Sequence, residues 1–461
     1  MKNMTLKNIT AACHGTFHGD SSFLEKEITG VAIDSRKAAP GFLFVPLKGA
    51  RVDGHTFIPQ VMEQGALATL TEEDPSSLTC PCIHVESCEK ALRDIAAFYR
   101  MQLDIKVVGI TGSVGKTSTK ETIASVLSRK YNVLKTEGNF NNEIGLPLTI
   151  FKIRAKHEVA VLEMGISDFG EMHRLVAMAR PDIGVITNIG LCHLENLGTR
   201  DGILQAKTEM FDHLQVDGTV ILNGDDDKLS TKKEVNGKPV IFYGVGADSA
   251  FDIKKDIYAT DIENHGLEGM RAKIHTPQGD FDAQIPIPGE HNVYNALAGT
   301  AVGLQLGLSI REIAQGIASV QTIAGRTNLL HVKGMTVIDD CYNANPVSMK
   351  ASIDVLAHTS GRRIAVLGDM GELGAEEKEL HRSIGKAVAA SGIDALFCAG
   401  TLAEEYANEA KANPECEVHY KKTREEMTEE LLAYVKEGDT VLVKASHFME
   451  FPKVVEALTK E

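Results

Sequence analysis

Four short runs, Val107–Ile110, Val159–Leu162, Ile183–Ile186 and Val220–Leu222, are apolar throughout, as strands covered on both faces must be. Stretches with helical spacing separate them, notably Thr117–Lys130 and Glu171–Ala179. Alternation of this kind predicts a parallel sheet with right-handed crossovers. Between Ile253 and Ile287 the pattern becomes alternating and glycine-punctuated, which predicts a hairpin addition to that sheet. A second alternating series begins near Arg326. Its strands are predicted at Thr336–Asp339, Ile364–Leu367, Ala395–Cys398 and Thr440–Val443, its helices at Pro346–Ala357, Glu376–Ala390 and Glu450–Leu458, in the manner of a Rossmann-like unit. Upstream, the runs Ile28–Ile33 and Leu43–Leu47 are broken by Gly30, Pro40 and Gly41, and Cys88–Met101 is amphipathic. The predicted fold is therefore α/β in three domains. These are a small N-terminal α/β domain (1–100), a central parallel-sheet domain (101–322) and a C-terminal Rossmann-like domain (323–461).

Length agrees, since 461 residues exceed what one hydrophobic core holds. The 43% hydrophobic and 24% charged residues are those of an ordinary globular chain. No run approaches the roughly 18 apolar residues of a membrane span, and Met1–Asp20 lacks the pattern of a secretion signal. The eight cysteines have no metal-site spacing and read as reduced thiols. A cytoplasmic enzyme without membrane insertion is expected, and a monomer. A net charge of −15 with no tryptophan argues against a nucleic-acid surface. Anionic small molecules are not excluded, because a few cations and backbone N–H groups suffice to hold them.

The first predicted buried strand runs straight into Thr111-Gly112-Ser113-Val114-Gly115-Lys116-Thr117-Ser118, and then into a helix. Glycines let backbone N–H groups turn toward phosphate, and the helix N-terminus adds its positive dipole end. Lys116 can reach β- and γ-phosphates, and the Thr117 hydroxyl can ligate Mg²⁺. The loop is short by the general pattern, for Ile110 stands where the first glycine would be.

That shortened loop resembles the one in the Mur ligase and folylpolyglutamate synthase superfamily, and further matches follow in the order this family requires. They are Glu163-Met164-Gly165 at a strand end, Asn188 to Glu195 with His193, Ala206-Lys207-Thr208-Glu209, and His291-Asn292-Val293-Tyr294-Asn295. Taken singly, each has an ordinary explanation as a cap, a loop histidine or a surface lysine. The N-terminal matches Asp34-Ser35-Arg36, Gly41 to Phe44 and Lys48 to His55 resemble the UDP-sugar domain of later-acting Mur ligases, which folylpolyglutamate synthases lack. Gly138 to Pro147, Asp339 to Pro346 and Leu367 to Gly374 resemble the branch that adds D-alanyl-D-alanine. The Asp-Asn-Pro motif of the branch adding diaminopimelate or lysine does not occur.

The resemblance implies an ATP-dependent carbon–nitrogen ligase of peptidoglycan precursor synthesis, with a UDP-muramoyl peptide and D-alanyl-D-alanine as substrates. ATP would be held by Gly112–Ser118, Asn292, Asn295, Arg326, Asp340 and Asn343. Lys116, His193 and Lys207 would be catalytic. Mg²⁺ would be ligated by Thr117, Glu163, His193 and Lys207, the last as a carbamate. Ser35, Arg36, Lys48, Asn141 and Asn142 would meet the UDP substrate, and Lys444 and Ser446 the dipeptide carboxylate. The sequence departs from the family at His447, where arginine is common, and around Arg326, which is followed by Thr327-Asn328. Two other readings remain at this point. One is a ligase of the same superfamily adding a single amino acid. The other is a phosphate-loop nucleotide switch, although the guanine-reading Asn-Lys-x-Asp segment is missing.

Overall fold

The computed structural model describes residues 1–460, and three main sheets organise them. Strands β1–β5 (Thr16–His18, Gly30–Ala32, Phe42–Phe44, Ala68–Thr71 and Cys82–His84) form the first, in the order β1-β5-β4-β3-β2, with only β1 antiparallel. Strands β6–β10 (Lys106–Thr111, Val133–Lys135, Val159–Glu163, Ile183–Ile186 and Thr219–Asn223) are parallel. A two-stranded ribbon, β11 (Glu234–Val235) and β12 (Lys238–Pro239), stands apart. Strands β13–β16 (Ile241–Val245, Ile257–Asn264, Met270–Thr276 and Gly279–Ile285) extend the central sheet to nine, in the order β16-β15-β14-β13-β10-β9-β6-β8-β7. The expected hairpin addition is the antiparallel meander β14–β16.

The third sheet comprises β17–β22 (Asn328–Val332, Met335–Asp339, Arg362–Gly368, Ala395–Ala399, Glu417–Lys421 and Asp439–Lys444), in the order β17-β18-β22-β19-β20-β21. Only β17 is antiparallel. Every strand predicted in the two alternating series is present; Ile183–Ile186 keeps its bounds and the others are extended by a residue or two at one or both ends. The helix expected from Glu450 starts at Pro452, because Glu450 itself takes a left-handed conformation with φ of 53°.

Packing divides the chain less evenly than the pattern suggests. One continuous apolar cluster runs from Met4 and Ile28 through Leu92 and Tyr99 into Leu146, Leu175 and Leu222. The helix Cys88–Met101 makes that join: Tyr99 hydroxyl donates to the Ile153 carbonyl at 2.7 Å, and the buried Arg100 guanidinium donates to the Ala179 carbonyl at 2.9 Å. The first two sheets therefore share a core. The third sheet has its own apolar layer on each face, one around Leu356 and Ile384, the other around Phe397 and Phe451.

Candidate active site

Strand β6 delivers the chain into the glycine loop with Gly112 at φ 152° and Gly115 at φ 81°, and the helix Lys116–Leu127 starts directly after it. Only glycine fits at 112, since a Cβ there would run into the Thr187 hydroxyl. The loop is pinned from the end of β9. Thr187 Oγ1 and Asn188 Nδ2 both donate to the Val114 carbonyl, at 2.7 and 3.0 Å, while the Val114 N–H donates to Asn188 Oδ1 at 3.0 Å. Lys116 Nζ reaches back to the Gly112 carbonyl at 2.9 Å. Burial pushes its pKa down, against the opposing pull of Glu163.

Glu163, at the end of β8, is almost fully buried. Its Oε1 accepts from Asn141 Nδ2 at 2.9 Å, while Oε2 has no hydrogen-bond partner. The nearest cation is Lys120, one turn beyond Lys116, at 3.7 Å; its Nζ is held by the Thr136 carbonyl at 2.7 Å. A buried carboxylate oxygen left without a donor is costly, so this one is built to meet something the protein chain does not supply. Lys207, on the helix Arg200–Thr208, is also buried, and desolvation lowers its pKa to about 8. Lys116 is a cationic neighbour, and Cys192 Sγ lies 3.2 Å from Ser113 Oγ of the phosphate loop. The Thr117 side chain, next along the chain from Lys116, is also buried.

A cleft between the central and third sheets is lined by Val114, Gly115, Ser118, Asn295, Arg326 and Asp340. Of the expected asparagine pair, Asn295 lines the cleft and Asn292 supports it, accepting from Asn295 Nδ2 at 2.8 Å; Thr119 hydroxyl donates to Asn295 Oδ1 at 2.7 Å. Arg326 stacks on the Tyr342 ring at 4.1 Å, and its buried Nε has no partner. Asn343 turns its side-chain oxygen to the Ala344 N–H.

Other expected contacts are placed differently. Lys444 Nζ pairs with Asp340 Oδ2 at 2.6 Å and also donates to the Asn343 carbonyl, with both side chains buried. Ser446 Oγ accepts from the Gly371 N–H at 2.9 Å. Both residues expected to take the dipeptide carboxylate are thus engaged inside the third domain. Asn141 and Asn142 separate from the N-terminal set as well: Asn141 donates to Glu163, and Asn142 accepts from the Gly145 N–H at 2.8 Å, just before the helix Gly145–Ile150. Ser35, Arg36 and Lys48 remain on the first sheet's loops. There Arg36 pairs with Asp34 at 2.8 Å, which holds that carboxyl at about 2, and Lys48 pairs with Glu72 at 3.0 Å.

Three contributors carry no role in the sequence reading. Lys120 and Thr136 support Glu163, and Glu372 of the third domain meets His193 Nδ1 at 2.8 Å. Lys120 has a sequence signal, lying four residues after Lys116 on the same helix face. Glu372 has none beyond its motif, because the contact crosses between domains.

Comparison with known proteins agrees with this geometry. Residues 27–100 match the Mur ligase family catalytic domain, 110–303 the Mur ligase middle domain, and 325–447 the Mur ligase glutamate ligase domain. The chain is 38% identical to the UDP-N-acetylmuramoyl-tripeptide–D-alanyl-D-alanine ligase of Bacillus subtilis, over 99% of both chains. A solved MurF structure from Acinetobacter baumannii superposes with a TM-score of 0.89 at 32% identity, covering 98% of each chain. The MurF ligase of Thermotoga maritima in complex with ADP does so with a TM-score of 0.81 at 31% identity, covering 93% of this chain and 96% of that one. With three family domains matched in order and a relative 38% identical along nearly its whole length, the chain belongs to the Mur ligase family.

Proposed function

We propose that the chain joins D-alanyl-D-alanine to the terminal carboxylate of a UDP-N-acetylmuramoyl tripeptide at the expense of ATP. The observation that carries this reading is the buried Glu163 Oε2, which has an ion pair to Lys120 at 3.7 Å but no hydrogen-bond donor. Its chemistry fits a hard cation, which takes oxygen ligands. Thr117, Glu163, His193 and Lys207 would hold Mg²⁺. Bound there, the cation would supply charge neutralisation for the phosphate oxygens.

Lys207 suits that set as a carbamate. A buried lysine with pKa about 8 has a usable fraction of neutral amine near neutral pH. Its nitrogen can add to the carbon of CO₂ and release one proton, leaving an anionic oxygen ligand in place of a cation.

The reaction divides in two. The substrate carboxylate attacks the γ-phosphorus, the bond to the β-bridging oxygen breaks, and ADP departs from an acyl phosphate. The dipeptide amine, having lost a proton, then adds to the acyl carbon, and the tetrahedral intermediate expels phosphate. Overall, carboxylate, ATP and ammonium give amide, ADP, phosphate and one proton. Lys116 and the loop N–H groups stabilise charge on the phosphate oxygens. Asn295 and Arg326 hold the nucleotide in the cleft, which excludes water from the acyl phosphate. The limits 1–100, 101–322 and 323–461, a monomeric state and a cytoplasmic site of action are part of this reading.

The test is phosphate release in the presence of UDP-N-acetylmuramoyl tripeptide and ATP. It should stay silent until D-alanyl-D-alanine is added. Lysine, diaminopimelate and D-glutamate should be weaker by about a thousandfold, since a site built for a polar group rejects ligands lacking it. Faster turnover with a single amino acid and its own UDP-muramoyl acceptor would overturn the choice of amine and leave the ligase chemistry standing.

A further inference from the structure

His193 and Glu372 come from different sheets, and each adopts a backbone conformation that glycine would take more easily. His193 follows β9 with φ of 50°, and Glu372 lies in the loop after β19 with φ of 61°. Left-handed geometry at a non-glycine residue is retained where the surroundings require it. Here the two unfavourable residues are the two that touch, His193 Nδ1 to Glu372 Oε2, at 2.8 Å. The loop bearing Glu372 is itself braced, through the Gly371 N–H on Ser446 Oγ and Met370 N–H on His381 Nε2 at 3.0 Å. The Glu372 side chain is 64% exposed, so what fixes its carboxylate is this braced loop together with the contact to His193.

An imidazole whose Nδ1–H is taken by a carboxylate offers Nε2 as its electron-pair donor, the arrangement by which outer carboxylates orient metal-binding histidines. In most such pairs both residues belong to one domain. In this chain the histidine belongs to the central sheet and the carboxylate to the third. We propose that Glu372 is a positioning residue for His193, so that cation binding at the phosphate loop and docking of the third domain favour one another. This rests on the ligase reading, in which His193 is a metal ligand. By linkage, whatever the docked arrangement adds to cation affinity, the cation returns as preference for docking.

The experiment is an equilibrium titration of Mn²⁺ onto the full chain with a non-hydrolysable ATP analogue, read by the electron paramagnetic resonance signal of free Mn²⁺. Small-angle scattering of the same samples reports compaction. Glu372→Ala should weaken Mn²⁺ by about ten- to a hundredfold and abolish Mn²⁺-dependent compaction. Glu372→Gln, which keeps an acceptor, should recover most of both. Glu372→Gly suits the backbone, so it should keep the melting temperature yet weaken Mn²⁺ as alanine does, separating positioning from folding. In a His193→Ala background, Glu372→Ala should have no further effect. Mn²⁺ affinity within about twofold of wild type in Glu372→Ala, with His193→Ala impaired, would overturn the inference and leave the ligase reading intact. A further loss in the double variant would also overturn it. Unchanged Mn²⁺ affinity in His193→Ala would instead remove the metal role on which the inference rests.

Discussion

Lys444 and Asp340 form a buried ion pair across adjacent strand ends of the third sheet, 2.6 Å from Nζ to Oδ2. Asp340 also accepts from the Thr327 N–H at 3.1 Å and from the Ser352 hydroxyl, so its charge is fully matched. Removing one partner of such a pair leaves the other buried and uncompensated, at a cost of about 3–5 kcal/mol. Lys444→Met is expected to lower unfolding free energy by that amount in denaturant titration, and Asp340→Asn in the same chain to restore part of it. The folded fraction should keep its KM for the dipeptide. A selective rise in that KM with unchanged stability would return Lys444 to the amine site.

Lys116→Met removes the one loop cation able to follow charge onto the γ-phosphate oxygens. Turnover should fall at least about a hundredfold, the scale of losing one preorganised electrostatic contact. Single-turnover phosphate release with a folded variant checks this. Near-normal rates would take the loop out of the chemistry.

Gly112 and Thr187 make a steric pair whose failure is directional. Gly112→Ala places a methyl against the Thr187 hydroxyl and should weaken ATP analogue binding by more than tenfold, while the far N-terminal sheet stays unaffected. Adding Thr187→Ala removes the obstructing hydroxyl and should recover part of the affinity, though the backbone strain at φ 152° persists. Isothermal titration of both variants decides it; no recovery in the pair would place the fault in the backbone alone.

Lys207 gives a pH signature. Its folded pKa lies near 8, below the ordinary lysine value of 10.5, because burial disfavours the charged form. The unfolded chain therefore binds the extra proton between those values, and stability rises with pH across that window. Below about 8 the penalty is complete, at about 3 kcal/mol for a shift of this size. In CO₂-depleted buffer, Lys207→Met should be the more stable protein at pH 7, and the gap should close by pH 10.5. A pH-independent difference would mean that the amine is not desolvated.

What could be read in advance follows the reach of each interaction. Strands β6, β8 and β9 are legible because both faces are covered, so their interiors are apolar throughout. The phosphate loop is legible because strand, glycines and helix are contiguous. The adjoining strands Asn328–Val332 and Glu417–Lys421 were missed: they sit at sheet edges, half-covered, and alternate too weakly to stand out. The contacts expected for the dipeptide are harder to read for another reason. Lys444 and Ser446 are polar residues at a strand end, and sequence does not say whether such groups face a ligand or one another. The role of Glu372 depends on where two domains meet, which no local pattern encodes.

The apolar cluster that fuses the first two sheets also bears on timing. Three lobes in a row would have two joints, and three reactants would have to be aligned through both. Here the first sheet and the phosphate-loop sheet are tied into one piece by a shared apolar cluster, and the third sheet, with apolar layers of its own, stands as the second piece. In the ligase proposed above, the acceptor and the nucleotide would both meet the fused piece, and only the third sheet would remain to be aligned with them.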